Sequence, residues 1–343
     1  MKKIKRSVKI IIAVALVIVL LLASGVIFYL SKLNLIKFSD GKFRWNGSID
    51  TNDSETIGEQ SRMNDAIADL EEKDAIDATG KIYKDKRILN ILLIGTDEYT
   101  EEFSENARGD SCMIMSVGKK DGSLKLASLE RGMGMPILDG KYKGQYDWLT
   151  HTFRYGGADL MMREVRECFK VDVERYIRVN FATFKKGIEA VGGIDITLTA
   201  AEAGYVNAGT GLTKYTAGVN HLDGEAALVY ARCRHIDSDW HRIERQRNVI
   251  QAVVTKTKEL DIAELNGLLN NVLPLVQTNL TRLEITELLL LAPKYRGAEI
   301  KQMTVPVSGS YGGMRGLGGR SLFSVDFETN SRALREFIYG IKN

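Results

Sequence analysis

The residues best suited to chemistry lie between positions 230 and 247, where Arg232, Arg234, Asp239, Arg242, Arg245 and Gln246 follow one another closely. A guanidinium is a planar fork of N–H donors that matches phosphate or carboxylate oxygens two at a time. The apolar run 226–229 before them reads as a buried strand. In an extended chain side chains alternate, so Arg232 and Arg234 point one way and Cys233 the other. Residues 248–260 read as a helix, with Val249, Ile250, Val253 and Val254 as its apolar stripe. On a helix, Arg242, Arg245 and Gln246 fall at i, i+3 and i+4 and share a face. Four arginines around a short loop carrying Asp237, Asp239 and Trp240 suit an anionic partner, helped by the donors and positive dipole end of a helix N-terminus. The spacing fits equally well a solvated basic face with local ion pairs to Asp237, Asp239 and Glu244.

A second group lies upstream. Asp97 follows the apolar run 88–94 through Gly95-Thr96, Asp110 follows Arg108-Gly109, and Arg131 follows a strand at 124–129 through Glu130. Strand ends thus deliver two acids and two arginines, and open α/β sheets gather their ligands beyond strand C-termini. Paired carboxylates suit a hard divalent cation such as Mg²⁺, which takes one or two carboxylates together with substrate phosphates and water. The other reading makes Asp97 a turn residue and Asp110 a loop cap, and spacing alone leaves both open.

The elements that must position these groups are legible in outline. Strands are expected at 88–94, 111–117 and 124–129, with Gly122 in the turn between the last two. A helix at 158–169 follows Gly156-Gly157, then a strand at 176–181, a helix at 182–191 stopped by Gly192-Gly193, and a strand at 194–198. The Gly- and Ala-rich stretch 200–222 reads as a long surface loop with a small hairpin. Asp261 and Glu264 form a capping box for another helix. Residues 285–291 form one more helix, ended by Pro293, before a strand at 303–307. The Gly-rich stretch 311–320, with Arg315 and Arg320, lacks the Gly-Lys-Ser/Thr ending of a phosphate loop and reads as a mobile loop. A helix at 330–341 closes the chain.

A chain of 343 residues holds one large domain or two smaller ones. The formal net charge of +3 confines any basic site to a local patch, and the aromatics are not interleaved with the arginines, which argues against a nucleic-acid partner. Cys112, Cys168 and Cys233 are odd in number and widely spaced, so neither a disulfide framework nor a metal knuckle is expected, and Cys233 reads as a core residue. Lys2, Lys3, Lys5, Arg6 and Lys9 precede an apolar run at 10–30 that is long enough to span a bilayer, with the positive end cytoplasmic. Leu22-Ala23-Ser24 is a poor cleavage site and the run continues past it, so the segment reads as an uncleaved anchor. The expected organisation is a cytoplasmic tail at 1–9, a transmembrane anchor at 10–30, an extracytoplasmic spacer at 31–87 and a folded domain at 88–343. Within the spacer, 50–59 is polar and reads as mobile, while Met63, Ile67 and Leu70 recur at helical spacing, as in a short solvated helix or a stalk.

Taken together, the blocks resemble a known family. Asn90-Ile91-Leu92-Leu93-Ile94-Gly95-Thr96-Asp97, Arg108-Gly109-Asp110 and Ser128-Leu129-Glu130-Arg131 resemble the opening of a LytR-CpsA-Psr domain. Thr150-His151-Thr152-Phe153-Arg154-Tyr155-Gly156-Gly157, then Val191-Gly192-Gly193-Ile194-Asp195, resemble the next blocks. Residues 223–234 with Asp239, Arg242, Arg245 and Gln246 resemble the last. The resemblance covers about 88–340, in order and at family spacing. It implies an α/β fold with a mixed central β-sheet between helix layers, a greasy pocket for a polyprenyl tail, and one preceding transmembrane helix. It also implies a phosphotransferase at the cell membrane with its catalytic domain outside. Such an enzyme moves a glycopolymer phosphate from a polyprenyl-diphosphate carrier to peptidoglycan. Asp97 and Asp110 would hold Mg²⁺, with Mn²⁺ as a substitute. Arg108, Arg131, Arg232, Arg234 and Asp239 would be catalytic, and Arg242, Arg245 and Gln246 would bind substrate. Teichoic acid, capsule and other wall polymers share the diphosphate linkage such a site reads.

Three positions depart from the family pattern. Arg131 is followed by Gly132 where the family has aspartate, Trp148 stands where a lysine is common, and Gly109 replaces serine. The missing acid motivates an alternative, a non-catalytic module that captures lipid-linked or anionic glycan in a regulatory role. A weaker one is a pyrophosphatase with water as acceptor. Asp239 and His241 are candidates for a general base by position alone.

Overall fold

The computed structural model describes residues 31–43, 54–105, 107–234, 236–258, 260, 262–295 and 298–341. The anchor expected at 10–30 lies outside them, and among the described residues no helix is long and apolar enough to cross a membrane. The sheet contains β1 (Lys37–Phe38), β2 (Ile88–Thr96), β3 (Gly109–Gly118), β4 (Leu124–Leu129), β7 (Arg175–Asn180), β10 (Gln277–Thr278) and β11 (Ile300–Val305). Their spatial order is β1-β10-β7-β2-β3-β4-β11. Strands β2 and β7 pair parallel, as do β4 and β11, while β3 runs antiparallel to both β2 and β4. The C-terminal ends of β2, β4, β7 and β11 and the start of β3 therefore share one edge. Asp97, Asp110, Glu130 and Arg131 are delivered there.

Alternation along the strands supplies two apolar faces. Leu92, Ile94, Ile114 and Leu129 face a core with α2 (Leu149–Phe169) and α9 (Phe327–Tyr339). Leu93, Met113 and Leu126 face the opposite way, toward Ile250 and Val254 of α6 (Asp239–Thr257). Ile91 packs beside them on α8 (Arg282–Tyr295). The mixed sheet thus lies between helix layers, as expected. Helix α2 begins nine residues earlier than the periodicity indicated and kinks at Gly156-Gly157. Gly157 has φ 70°, and a Cβ there would sit 2.2 Å from the Gly41 carbonyl oxygen, so only glycine fits.

A second core joins α3 (Phe181–Ala190), β8 (Ile194–Leu198), α4 (Ala200–Thr210), β9 (Gly218–Leu222), α5 (Gly224–Ala231) and α7 (Ile262–Val272). Two expectations fail here. The run at 226–229 is helix α5, not a strand, because Asp223 caps its start by accepting from the Ala226 amide at 2.9 Å. A short apolar run cannot be assigned by periodicity alone. The stretch 200–210 is helix α4 rather than loop, started by a Thr199–Glu202 capping box. Strands β12 (Tyr311–Arg315) and β13 (Ser321–Val325) form a hairpin where a mobile loop was expected. A further short pair is β5 (Gly134–Pro136) and β6 (Tyr146–Trp148). Helix α8 runs past Pro293 to Tyr295.

The segment read as a spacer is built into the fold. Helix α1 (Ser54–Ile67) buries Met63 against Trp148, Leu322 and Phe323. The chain after it hydrogen-bonds along the domain, from the Lys73, Ile76 and Tyr83 amides to the Gly313, Val325 and Lys170 carbonyls.

Candidate functional site

Of the six arginines expected at the site, five come from different elements. Arg108 precedes β3, Arg131 follows β4, Arg232 caps the C-terminus of α5, Arg234 lies in the following loop, and Arg242 is in the first turns of α6. Arg131 lies between two carboxylates, donating from Nη1 to Glu59 Oε1 at 2.6 Å and from Nε to Asp239 Oδ2 at 3.1 Å. Arg234 Nη1 donates to the same Glu59 oxygen at 3.2 Å, and Arg108 Nη1 lies 3.9 Å from the other. Arg108 also donates from its backbone amide and Nε to Asp97, at 2.9 and 3.1 Å. Asp110 lies 3.9–4.0 Å from Arg108, Arg131 and Arg234 and accepts from Thr150 Oγ1 at 3.0 Å. Gln246 accepts from Ser111 Oγ at 3.0 Å and lies close by.

The charges shift one another in ways set by burial and neighbours. Burial alone would raise the Glu59 carboxyl, but Arg131, Arg108 and Arg234 overcome it and hold the group at about 2. Burial works the same way on Asp239, and Arg242, Arg131 and Arg234 hold it far below the carboxylate range. Burial, reinforced by the negative charge of Asp110, pushes Asp97 up. Burial and then the Asp239 charge push Glu130 up to about 7. Arg242, 2 % exposed, is pushed down to about 10 by burial and by the Arg131 charge. Among the described residues its Nε and Nη1 have no hydrogen-bond partner, and its one ion-pair carboxylate is Asp239 at 3.7 Å. A buried guanidinium in that condition is stabilised by an incoming anion.

One expected ligand is placed differently. Arg245 donates to Glu202, to Asp237 and to the Cys233 carbonyl, so its guanidinium ties α6 to α4 and the intervening loop rather than facing the cluster. Side chains at i+3 and i+4 diverge enough for Gln246 to remain on the Arg242 side while Arg245 turns away. Arg232 stacks on Phe181, 4.4 Å from the ring centroid, with Tyr99 at 5.7 Å. His241 is exposed, bonds Ser238 Oγ, and lies 4.0 Å from the Asp237 carboxylate that Arg245 also holds.

Beneath the cluster lies an apolar cavity of about 300 Å³ between the sheet and helices α3, α5 and α6, with Ile94, Val179, Phe184 and Val249 in its walls. Asp110, Arg232, Arg234, Arg242 and Gln246 form its polar end. Among the described residues no three His, Cys, Asp or Glu side chains form a metal cage. Asp97 and Asp110 lie on either side of Arg108, whose Nε is 3.1 Å from one and 4.0 Å from the other, and two such hard oxygen donors are of the kind a divalent cation takes.

The LytR_cpsA_psr family profile matches residues 52–333. The chain belongs to the LytR_cpsA_psr family. Among curated relatives, the polyisoprenyl-teichoic acid–peptidoglycan teichoic acid transferase TagU of Enterococcus faecalis is 33 % identical over 226 residues, 63 % of this chain and 69 % of that protein. A Bacillus mycoides protein of the same name is 32 % identical over 209 residues, 60 % of this chain and 64 % of the relative. The chain thus spans about two thirds of the length of these transferases. The fold is also that of a solved structure of TagT bound to LI-WTA, with TM-score 0.59 and 22 % identity over 78 % of this chain and 97 % of that one.

In this LytR_cpsA_psr chain the residue that sequence reasoning missed is Glu59. It is 2 % exposed and touches three of the arginines. It lies in a polar stretch with no apolar period, and only the Met63–Ile67 spacing nearby hinted at a docked helix. A Cβ on Gly132 would meet Met63 Cε at 2.1 Å, so α1 fills the space beside Arg131 where the family pattern has an acid and brings its own carboxylate.

Proposed function

We propose that this protein transfers a phosphate-linked glycopolymer from a polyprenyl-diphosphate carrier to peptidoglycan, on the outer side of a membrane to which residues 10–30 anchor it. The observation that carries this reading is a buried, under-partnered guanidinium, Arg242, at the polar end of an apolar cavity. That pairing suits an amphiphile whose anionic head meets a hydrocarbon tail. A structure of the related YwtF (TagT) holds octaprenyl pyrophosphate, and its fold matches with TM-score 0.55 at 21 % identity.

In this mechanism the tail lies in the cavity and Arg131, Arg234 and Arg242 grip the diphosphate. An acceptor hydroxyl attacks the phosphorus that bears the glycan. A new P–O bond to the acceptor forms, the P–O bond to the bridging oxygen breaks, and polyprenyl phosphate departs while the hydroxyl proton passes to a base or to water. Phosphoryl transfer relies mainly on positioning and on positive charge around the transferring and leaving oxygens, which preorganised guanidiniums supply. Asp97 and Asp110 would hold Mg²⁺, or Mn²⁺ in its place, and the ion would add charge stabilisation on the diphosphate. Asp239 accepts from Arg131 Nε at 3.1 Å and serves to orient that guanidinium.

Incubating the full chain with Mg²⁺, a synthetic polyprenyl-diphosphate glycan and peptidoglycan fragments, with products followed by mass spectrometry, tests the proposal. A phosphodiester adduct that disappears in Asp97→Asn/Asp110→Asn is expected. The second reading, a glycan-capturing module without turnover, draws on the full pairing of Arg131 with Glu59 and Asp239. Saturable donor binding without adduct would establish it instead.

A further inference from the structure

We propose that the folded domain rests directly on the bilayer surface, through a face made of Leu35 and Phe38 from the segment around β1 and of Leu283 and Leu290 from α8. This rests on the reading of residues 10–30 as a membrane anchor and adds how the domain sits beyond it. The apolar run ends at Leu30, and Leu33 is already buried in one cluster with Ile36, Ile91, Leu280 and Ile285. Three residues reach at most about 10 Å when fully extended. No slack is left for a stalk, so the surface around residues 31–38 is held at the headgroup layer.

Singly exposed apolar side chains are ordinary on a protein surface, but these belong to one patch. Leu283 and Leu290 are 81 % and 76 % exposed, Phe38 41 % and Leu35 36 %. Residues seven apart share one side of a helix, so Leu283 and Leu290 form an outward stripe on α8, while Ile285 turns into the core. Contacts join this stripe to the β1 segment. Arg282 Nη1 donates to Asn34 Oδ1 at 3.1 Å, and its guanidinium lies 5.5 Å from the Phe38 ring centroid. The charges suit a bilayer surface as well. Lys37, Arg282 and Lys294 are exposed, whereas the two carboxylates of α8 are occupied, Glu284 by Arg175 and Glu287 by Lys119, each at 2.7 Å. Apolar side chains flanked by cations are the pattern of an interfacial element over anionic lipid headgroups. A second copy of the chain would cover the leucines, but a two-fold contact would set the same cations against one another.

The course of β2 points the same way. Leu89 and Ile91 pack in the cluster that holds Leu33, Leu93 and Ile94 line the apolar cavity, and Asp97 follows the strand at Arg108. Leu93 and Ile177 belong both to the cavity wall and to the membrane-side cluster. At a strand rise of about 3.3 Å per residue, Asp97 stands roughly 25 Å from Leu89. A lipid with its head at the arginines therefore has its tail directed back toward the bilayer.

The test uses the full chain in vesicles that contain anionic phospholipid, with Leu283→Cys, Leu290→Cys and, as a control, Val219→Cys on β9. All three parent positions are exposed, so the changes spare the core, and the native cysteines are buried. Each variant carries an environment-sensitive fluorophore on the new cysteine, and flotation on a density gradient establishes whether the chain is inserted. The labels at 283 and 290 should emit at shorter wavelength and lose most of their emission to lipids bearing a spin label near the headgroup, while the label at 219 does neither. Chains that float but keep unquenched labels at 283 and 290 overturn the docking face and leave the anchor standing. A shift to shorter wavelength without quenching by lipid places a second copy on the leucines and overturns it equally. Chains that fail to float overturn the anchor reading, and the docking face falls with it.

Discussion

Glu59 is the side chain on which Arg131, Arg234 and Arg108 converge, and its removal leaves buried positive charge uncompensated. Breaking one side of a buried pair costs about 3–5 kcal/mol. Glu59→Gln is therefore expected to lower unfolding free energy by that order near neutral pH, as measured by denaturant titration. The pH dependence has a definite sign. The group is depressed from 4.5 to about 2, so its stabilisation is complete above the ordinary value and lost as pH falls toward 2. The gap between wild type and Glu59→Gln should close across that window. Glu130 has the opposite sign, being raised from 4.5 to about 7 by burial and by Asp239. Its contribution is complete below 4.5 and lost as pH rises through 7. Glu130→Gln, which can still accept from the Gly132 amide, should gain stability over wild type at pH 8 and not at pH 4, read by melting temperature at the two values.

At the scale of elements, α1 is a wall of the site rather than a tether. Restoring the family's acid as Gly132→Asp would drive a side chain into the end of Met63 and set a carboxylate beside Glu130, which accepts from the Gly132 amide. Overpacking of this kind costs about 1–3 kcal/mol. We expect Gly132→Asp to be less stable and less active, and Gly132→Asp/Met63→Ala to recover part of both, measured by melting curves and transfer assays. The kink in α2 depends on Gly157 in the same local way. Gly157→Ala meets a backbone carbonyl and a left-handed φ, worth about 1–3 kcal/mol in strain alone. The Thr150–Asp110 bond is expected to loosen with it, since the kink sets how α2 leaves the sheet edge.

At the scale of the molecule, the site exists only where the sheet edge, α1 and the start of α6 meet. A chain beginning at residue 88 lacks Glu59, Met63 and β1 and leaves the Arg131–Arg234 pair facing solvent. Such a chain should show transfer at least as impaired as Glu59→Ala, whereas a chain beginning at residue 31 should retain it, compared in one assay with a detergent-dispersed donor.

The sequence by itself determined the strands that carry Asp97, Asp110 and Arg131, because unbroken apolar runs ended by glycine or charge are local signals that burial enforces. It also determined the family, since several motif blocks recur in order, and it singled out the arginines that gather at the sheet edge. Tertiary structure decided the rest. Arg245 has the same chemistry as Arg242, but a partner on α4, 43 residues away in sequence, draws it out of the cluster. The run at 226–229 became helix because its apolar residues face a core of other helices, which periodicity over four residues cannot register. Glu59 was invisible because its meaning lies in Arg131, 72 residues downstream, and in Arg234, 175 residues downstream. Isolated in a polar stretch, a carboxylate carries no sign of the guanidiniums that will surround it.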